Sequence, residues 1–112
     1  MKVAVSSIDK NIESNVSGVF GRCPYFIVAE VKDNKIGEVE ILENKSIEEN
    51  TGAGIATAQL VAENNINVVI TGNVGPRALD VLRRFEIEIY VGEGTVQDVL
   101  LSFADGKLQK MN

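Results

Sequence analysis

The order in which apolar segments alternate along the chain is the feature that most constrains its fold. A short apolar run at 2–6 is followed, after a long polar stretch, by runs at 25–31 and 36–42. The two later runs are joined by Asp33-Asn34, which is a hairpin-turn signal. Beyond residue 54, segments with helical spacing alternate with short apolar runs, as in chains whose helices cross over a sheet. We therefore predict the order β, long loop, ββ hairpin, α, β, α, β, α.

The apolar content of each predicted strand indicates its place in the sheet. Strands 1, 2 and 4 are nearly unbroken apolar runs, as expected where both faces are covered, whereas strands 3 and 5 alternate with polar residues and belong near an edge. Short connections and right-handed crossovers favour the spatial order 3-2-1-4-5, with strand 2 antiparallel to the rest. We expect one α/β domain over 1–112 with a five-stranded mixed sheet and three helices, a three-layer arrangement that resembles the ribonuclease H-like fold. A flavodoxin-like parallel sheet is the alternative, which the hairpin disfavours.

The spacing of apolar residues also predicts which side of each helix is buried. In the second helix, the predicted inner face consists of Ala78, Val81, Leu82 and Phe85. Pro76 suits the first turn of that helix, where its missing N–H costs nothing. We expect Thr95 to cap the third helix.

Charge and residue usage exclude several classes of function. The chain has 11 Lys and Arg against 16 Asp and Glu, a net charge of −5, and no histidine. Scattered cations on an acidic chain disfavour binding to nucleic acid or to an anionic membrane surface. Without histidine, and with no carboxylates on the central strands, no general base, nucleophile pair or two-metal site can be assembled, so we expect no enzymatic activity. The single cysteine and the lack of any apolar run near ~20 residues predict a cytoplasmic protein.

Three glycine-containing turns precede predicted helices and would meet at the carboxyl ends of the parallel strands. Helix N-termini present free N–H groups and the positive end of the helix dipole, and glycine lets a ligand approach the backbone. The predicted binding residues are Gly52, Ala53, Gly54, Gly72, Asn73, Gly75, Gly94 and Thr95, with Asn50 and Thr51 on the same rim. The alternative is that these glycines only form tight turns. Neither a dinucleotide fingerprint nor a P-loop is complete in these segments.

A polar excursion from Ser7 to Pro24 is too long for a simple connection and carries Arg22 and Cys23. We expect Arg22 to add positive charge to the anion site. A lowered pKa of the Cys23 thiol beside this guanidinium would make it a soft metal ligand, because thiolate is the form that binds iron or copper. The alternative is a free or half-buried thiol, and one cysteine cannot complete a cluster site that normally takes four.

Five segments, in their order and spacing, carry a resemblance over nearly the whole chain: MKVAVSS at 1–7, VFGRCPYF at 19–26, GAGIATAQ at 52–59, GNVGPRA at 72–78 and IYVGEGTV at 89–96. Together they resemble the dinitrogenase iron–molybdenum cofactor biosynthesis family, particularly its small stand-alone archaeal and thermophile members. The resemblance implies a ribonuclease H-like fold and a non-catalytic role in holding an iron–sulfur-based cofactor, either the iron–molybdenum cofactor or its precursor. Cofactor-carrying members often have histidine before Phe-Gly-Arg, and some have cysteine beside Gly-Ala-Gly; this chain has Val19 and Thr51 there.

Two hypotheses of different class follow. In the first, the chain carries an anionic metal cofactor on the backbone amides of the rim, with Cys23 as the only soft side-chain ligand. In the second, it is a regulatory or scaffolding module that binds a partner protein or a small anionic metabolite. The missing histidine favours the second hypothesis, and the family resemblance favours the first.

Overall fold

The computed structural model describes residues 1–45 and 52–111, and six strands and three α-helices lie within them. The strands are β1 (Lys2–Ser7), β2 (Tyr25–Lys32), β3 (Lys35–Glu43), β4 (Val68–Thr71), β5 (Glu88–Val91) and β6 (Gln109–Lys110). The helices are α1 (Ala53–Glu63), α2 (Pro76–Arg84) and α3 (Val96–Ala104), and a 3₁₀ turn, Phe20–Arg22, precedes β2. None of the helices in the described ranges is long and apolar enough to cross a membrane.

All six strands form one mixed sheet in the order β3-β2-β1-β4-β5-β6. β1 is antiparallel to β2, with Val5 opposite Ile27, and parallel to β4, which is itself parallel to β5. The predicted hairpin between β2 and β3 is confirmed: Asp33 and Asn34 have φ of 53° and 64°, the left-handed conformation that two-residue hairpin turns require. The mixed α/β class, the three helices and the antiparallel β2 are therefore confirmed.

The sixth strand corrects the predicted five-stranded sheet. Gly106, with φ of 71°, reverses the chain after α3, and Gln109 and Lys110 then pair antiparallel with the end of β5. A two-residue strand has no side-chain period that a sequence could reveal. As a result, β5 lies between β4 and β6 rather than at the edge. Assignment to the ribonuclease H-like group stays a prediction.

Helices cover both faces of the sheet because the buried strands are apolar on both faces. Alternate residues of β1 point to opposite faces. Ala4 packs in the core beneath α1 and α2, while Val3 and Val5 pack in the core beneath α3. The edge strand β3 leaves Val39 and Ile41 exposed. Three layers result, with the N-termini of α1 and α2 on the same side of the sheet.

Phe85 departs from its predicted place on the inner face of α2. The helix ends at Arg84, and Phe85 is its C-cap residue rather than part of the last regular turn. The side chain is 56% exposed, whereas Ala78 and Leu82 are buried as predicted.

Candidate functional site: a cleft between two helix N-termini

An open cleft of about 410 Å³ lies between the first turns of α1 and α2 and the 3₁₀ turn. Both helices begin at the end of the sheet where the parallel strands finish, so their N-termini meet there. We call this space the α1–α2 cleft. It is lined by Val19, Gly21, Arg22, Gly52, Ala53, Gly54, Ile55, Gly75, Pro76, Arg77 and Ala78. Of the predicted site residues, it brings together Arg22, Gly52, Ala53, Gly54 and Gly75.

Both helices present unused backbone donors to this cleft. Their N-cap residues are Gly52 and Gly75, and neither helix has a side-chain cap among the residues the structure describes. Within the same residues, the amides of 53–55 and of 77–78 donate to no acceptor. Uncapped first-turn N–H groups carry the positive end of the helix dipole, so the cleft attracts anions.

Arg77 adds a full positive charge at the position where a helix tolerates it least. A cation in the first turn opposes the helix dipole, and acidic residues normally occupy such positions. Neither α1 nor α2 has an acidic residue in its first turn. Across the described residues, the ion pairs do not include Arg77. Arg77 was not among the predicted site residues, although its place as the second residue of a helix that begins with Pro76 after Gly75 was a usable signal.

Gly75 is a glycine that neither backbone geometry nor packing requires. Its φ of −67° and ψ of 160° suit any residue. A Cβ added there would have no heavy atom within 4 Å. A side chain at this position would occupy open space at the cleft wall, so glycine keeps the backbone accessible to a ligand.

Two other glycines bring the walls of the cleft together. A Cβ on Gly21 would lie 2.9 Å from Gly54 Cα, so the backbone of the 3₁₀ turn rests directly on the first turn of α1. A Cβ on Gly54 would in turn lie 3.3 Å from Ala78 Cβ in α2. The cleft therefore keeps its shape because positions 21 and 54 are glycines, whose backbones pack where a side chain would not fit.

A buried hydrogen-bond chain beneath the cleft involves Asn44, which is 1% exposed. Its Nδ2 donates to the Cys23 carbonyl oxygen at 2.8 Å and to Thr57 Oγ1 at 3.2 Å. The Thr57 hydroxyl donates to the carbonyl oxygen of Ala53 at 2.7 Å. These bonds tie the ends of the β2–β3 hairpin to the start of α1. Asn44 was not predicted, because the sequence pattern of a polar residue after an alternating strand does not indicate burial.

Gly94 and Thr95 lie away from the α1–α2 cleft, at the N-terminus of α3. Thr95 is the N-cap residue of α3, as predicted, and its Oγ1 accepts the Asp98 N–H at 3.1 Å. Gly94 lines a separate open cleft of about 430 Å³.

The long loop, which connects β1 to β2, accepts hydrogen bonds from the other first-turn donors of α3. The N–H groups of Val96 and Gln97 donate to the carbonyl oxygens of Ser14 and Ile12, at 2.9 and 2.8 Å. The three turns lie at the same end of the sheet, but they do not line a single cleft. Two of them share the α1–α2 cleft, and the long loop occupies the third.

Gly72 and Asn73 also serve the long loop. A Cβ on Gly72 would lie 2.8 Å from Gly18 Cα, and the Gly72 N–H donates to the Ser17 carbonyl oxygen at 3.3 Å. The carbonyl oxygen of Asn73 accepts the N–H of Phe20 at 2.9 Å. Neither residue lines the α1–α2 cleft. The predicted rim residues Asn50 and Thr51 lie outside the described residues.

Cys23 is fully buried in the core beneath α1 and α2. Its Sγ donates to the Phe20 carbonyl oxygen at 3.3 Å. Burial raises the pKa of the thiol to about 12, so the expected lowering by Arg22 is wrong. Throughout 1–45 and 52–111, no group of three or more His, Cys, Asp or Glu side chains could hold a metal ion. The role of Cys23 as a metal ligand stays a prediction, and its thiol is protonated near neutral pH.

The chain is similar in sequence to a known protein family and to an archaeal protein. A family model described as dinitrogenase iron-molybdenum cofactor matches residues 1–106. The chain belongs to this family. An uncharacterised protein from Methanocaldococcus jannaschii is 33% identical over 112 residues, which cover 98% of this chain and 95% of that protein.

Solved structures share the whole fold. The apo form of the orange protein from Desulfovibrio gigas superposes with a TM-score of 0.88 at 31% identity, covering 98% of this chain and 92% of the other. A Thermotoga protein superposes with a TM-score of 0.82 at 32% identity, covering 97% and 91% of the two chains. The sequence resemblance to the iron–molybdenum cofactor family is thus confirmed.

Proposed function

We propose that this protein binds and carries an anionic metal cofactor of the iron–sulfur type, the iron–molybdenum cofactor or a precursor, in the α1–α2 cleft. The cofactor is cargo rather than a resident group. One observation carries the proposal: two uncapped helix N-termini and Arg77 converge on a single cleft without a compensating acidic residue in either first turn. The family to which the chain belongs supports the class of cargo.

The cleft suits a cluster that already has its full set of ligands. It offers backbone amides and the guanidinium group of Arg77, which donate hydrogen bonds and attract negative charge, and Arg22 lies on its wall. Its remaining walls are largely apolar, with Val19, Ile55 and Pro76 among them. Such walls suit a large, weakly hydrated anion better than a small, strongly hydrated one, because less hydration is lost on binding. We infer that the protein holds its cargo by charge and hydrogen bonds rather than by thiolate ligation.

The lining chemistry favours carrying over catalysis. Among the described residues that line the cleft, Arg22 and Arg77 are the ionisable ones, and the guanidinium of an arginine donates hydrogen bonds rather than acting as a general base. Such groups hold an anion and release it unchanged. We therefore propose a non-catalytic role.

Anaerobic binding of isolated iron–molybdenum cofactor tests the proposal directly. The protein is incubated with the cofactor, separated by gel filtration and analysed for molybdenum and iron. Wild-type protein should elute with bound metal. Gly75→Leu should elute metal-free, because the new side chain fills the cleft. Leucine can adopt the backbone conformation of Gly75, so the variant should still fold.

Gly18→Leu is the matched control, since a Cβ at Gly18 also meets open space but lies in the other cleft. It should bind like wild type. Metal-free wild-type protein at micromolar concentration, or full binding by Gly75→Leu, contradicts the proposal.

A thermal-shift screen with phosphates and nucleotides separates the two hypotheses for this protein. A ligand at 100 times its Kd adds about 2.7 kcal/mol to the free energy of unfolding. A clear shift with one of these metabolites and none with the metal cofactor would replace the carrier with a metabolite-binding module.

A further inference from the structure

The charges of the chain are unevenly distributed around the fold. All four arginines lie on the 3₁₀ turn or on α2: Arg22, Arg77, Arg83 and Arg84. The β2–β3 hairpin at one edge of the sheet is acidic, because it carries five carboxylates and two lysines: Glu30, Asp33, Glu38, Glu40 and Glu43 against Lys32 and Lys35. A chain of net charge −5 thus keeps one basic helix, which indicates a role for that helix beyond solubility.

The basic residues of α2 share its solvent face. Arg77 and Arg84 are seven residues apart, so they lie on the same side of the helix about 10.5 Å apart along its axis. Arg83 is exposed beside them. Asp80 is the one carboxylate of the helix itself, and Glu86, just beyond the helix end, lines a pocket together with Arg83. Within the described ranges, no ion pair involves any of these arginines of α2. Their charges remain available to a partner.

Phe85 extends this basic face with an aromatic ring. At 56% exposure it is the most exposed large apolar side chain in the part of the chain that the structure describes. It directly follows Arg84, and Val81, one turn earlier, is only partly buried. Aromatic residues and arginine are the types enriched where protein interfaces gain most of their binding energy.

We propose that the outer face of α2, formed by Arg77, Arg83, Arg84 and Phe85, docks an acidic surface of a partner protein. Charge complementarity specifies the occupant: carboxylates opposite the arginines, surrounding an apolar pocket for Phe85. A nucleic acid is disfavoured because the rest of the chain is acidic. A second copy that docked its acidic hairpin here would form a head-to-tail contact, which leaves the same surfaces open at both ends of the assembly.

The position of α2 gives such a contact a purpose. The helix begins in the α1–α2 cleft and ends at Phe85, so a protein docked along it lies beside the mouth of the cleft. Resting on the proposed function, the partner that docks here would deliver or receive the cargo. Arg84 and Phe85 lie outside the cleft, so the docking surface and cargo binding can fail separately.

Site-specific photocrosslinking in cells of the source organism tests the docking surface. The photoreactive residue p-benzoylphenylalanine replaces Phe85 in the full chain, and in a matched control it replaces Leu101, which is 50% exposed on α3 at the other face of the sheet. The expected result is a protein adduct from position 85 and none from position 101. Mass spectrometry of the adduct should place the contact in a partner segment rich in Asp and Glu.

Arg84→Glu, introduced together with the crosslinker at 85, should reduce the adduct at least about tenfold, because a carboxylate then faces the partner's carboxylates. Circular dichroism and binding of the iron–molybdenum cofactor should remain unchanged in that variant. Adducts with nucleic acid or with a second copy of this chain, an adduct of equal yield at 101, or an adduct insensitive to Arg84→Glu each overturn the proposal. Absence of any adduct at 85 does so as well.

Discussion

The N-termini of α2 and α3 resemble each other in sequence but differ in how their first-turn N–H groups are bonded. Each follows a glycine-containing turn at the same end of the sheet, and each helix has nine residues. At α3, Thr95 and two carbonyl oxygens of the long loop accept the first-turn N–H groups. At α2, the corresponding donors open into the cleft, and Arg77 adds charge where an acid would be expected.

The difference teaches that a glycine-rich turn before a helix is not itself an anion site. What decides is whether the chain caps its own donors. At α3, a capping side chain and a folded-back loop leave the helix end complete and closed. At α1 and α2, the same backbone groups are left for something else to satisfy, and that is where a ligand has most to gain.

The largest effect should come from reversing the charge in the open cleft. Arg77→Glu should weaken binding of the iron–molybdenum cofactor about 100-fold, since a nearby charge is worth a few kcal/mol at the effective dielectric of a protein surface. The Kd is measured by anaerobic equilibrium binding with metal analysis. Lys107→Glu makes the same charge change after α3 and should alter the Kd less than about threefold. Equal losses in both variants would mean that net charge, and not the cleft, determines affinity.

Alanine substitutions of Gly72 and Gly75 should then separate the closed region from the open one. Gly72→Ala should lower the free energy of unfolding by about 1–3 kcal/mol, because its Cβ would lie 2.8 Å from Gly18 Cα. Gly75→Ala has open space and should change stability by no more than about 0.5 kcal/mol. Urea unfolding followed by circular dichroism measures both. Similar losses at the two sites would show that the cleft wall is packed after all.

The buried thiol predicts a pH effect that is independent of the cleft. Because the pKa of Cys23 is raised from 9.0 to about 12, the unfolded chain loses this proton first as pH rises. The free energy of unfolding should therefore fall between pH 9 and 12, by up to about 1.4 kcal/mol per pH unit from this group.

Cys23→Ala should remove that component of the slope, which urea unfolding at stepped pH values measures relative to wild type. At pH 7, the same variant should bind the iron–molybdenum cofactor within about twofold of wild type. A large loss of affinity would instead assign the thiol to the cargo.

The smallest effects on stability should come from removing the cap of α3 and adding one to α2. Thr95→Ala should lower the free energy of unfolding by about 1 kcal/mol, because the N–H of Asp98 loses the hydroxyl that accepts its hydrogen bond. Gly75→Asp should gain a few tenths of a kcal/mol by capping α2, yet weaken cofactor binding by placing a carboxylate in the cleft. Denaturation and equilibrium binding on the same samples measure the two consequences. A stabilised variant with unchanged affinity would contradict the assignment of the cargo to these amides.

Much of the fold follows from residue patterns. The Asp33-Asn34 turn and the apolar runs of β1, β2 and β4 suffice to predict the hairpin and the central strands. β6 could not be predicted, because two residues held by pairing with β5 have no pattern of their own. Phe85 was assigned to the core because helical spacing does not reveal that α2 ends one residue earlier.

The candidate site was predictable in part, for a related reason. Glycines before helices mark α1 and α2 correctly, since local sequence determines where a helix begins. Whether a helix end stays open depends on distant residues such as Ser14 and Ile12, which only the folded chain brings to α3. The burial of Cys23 and Asn44 is likewise a long-range property, so their sequence neighbours gave no indication of it.

The hydrogen-bond chain from Cys23 through Asn44 and Thr57 to Ala53 has a further consequence for binding. It fixes the start of α1 against the hairpin by bonds made during folding. The α1 wall of the cleft is therefore preorganised, and its backbone has little conformational entropy left to lose when cargo arrives. Association should be rapid and nearly rigid, and the protein can accept and surrender its cargo without reshaping itself.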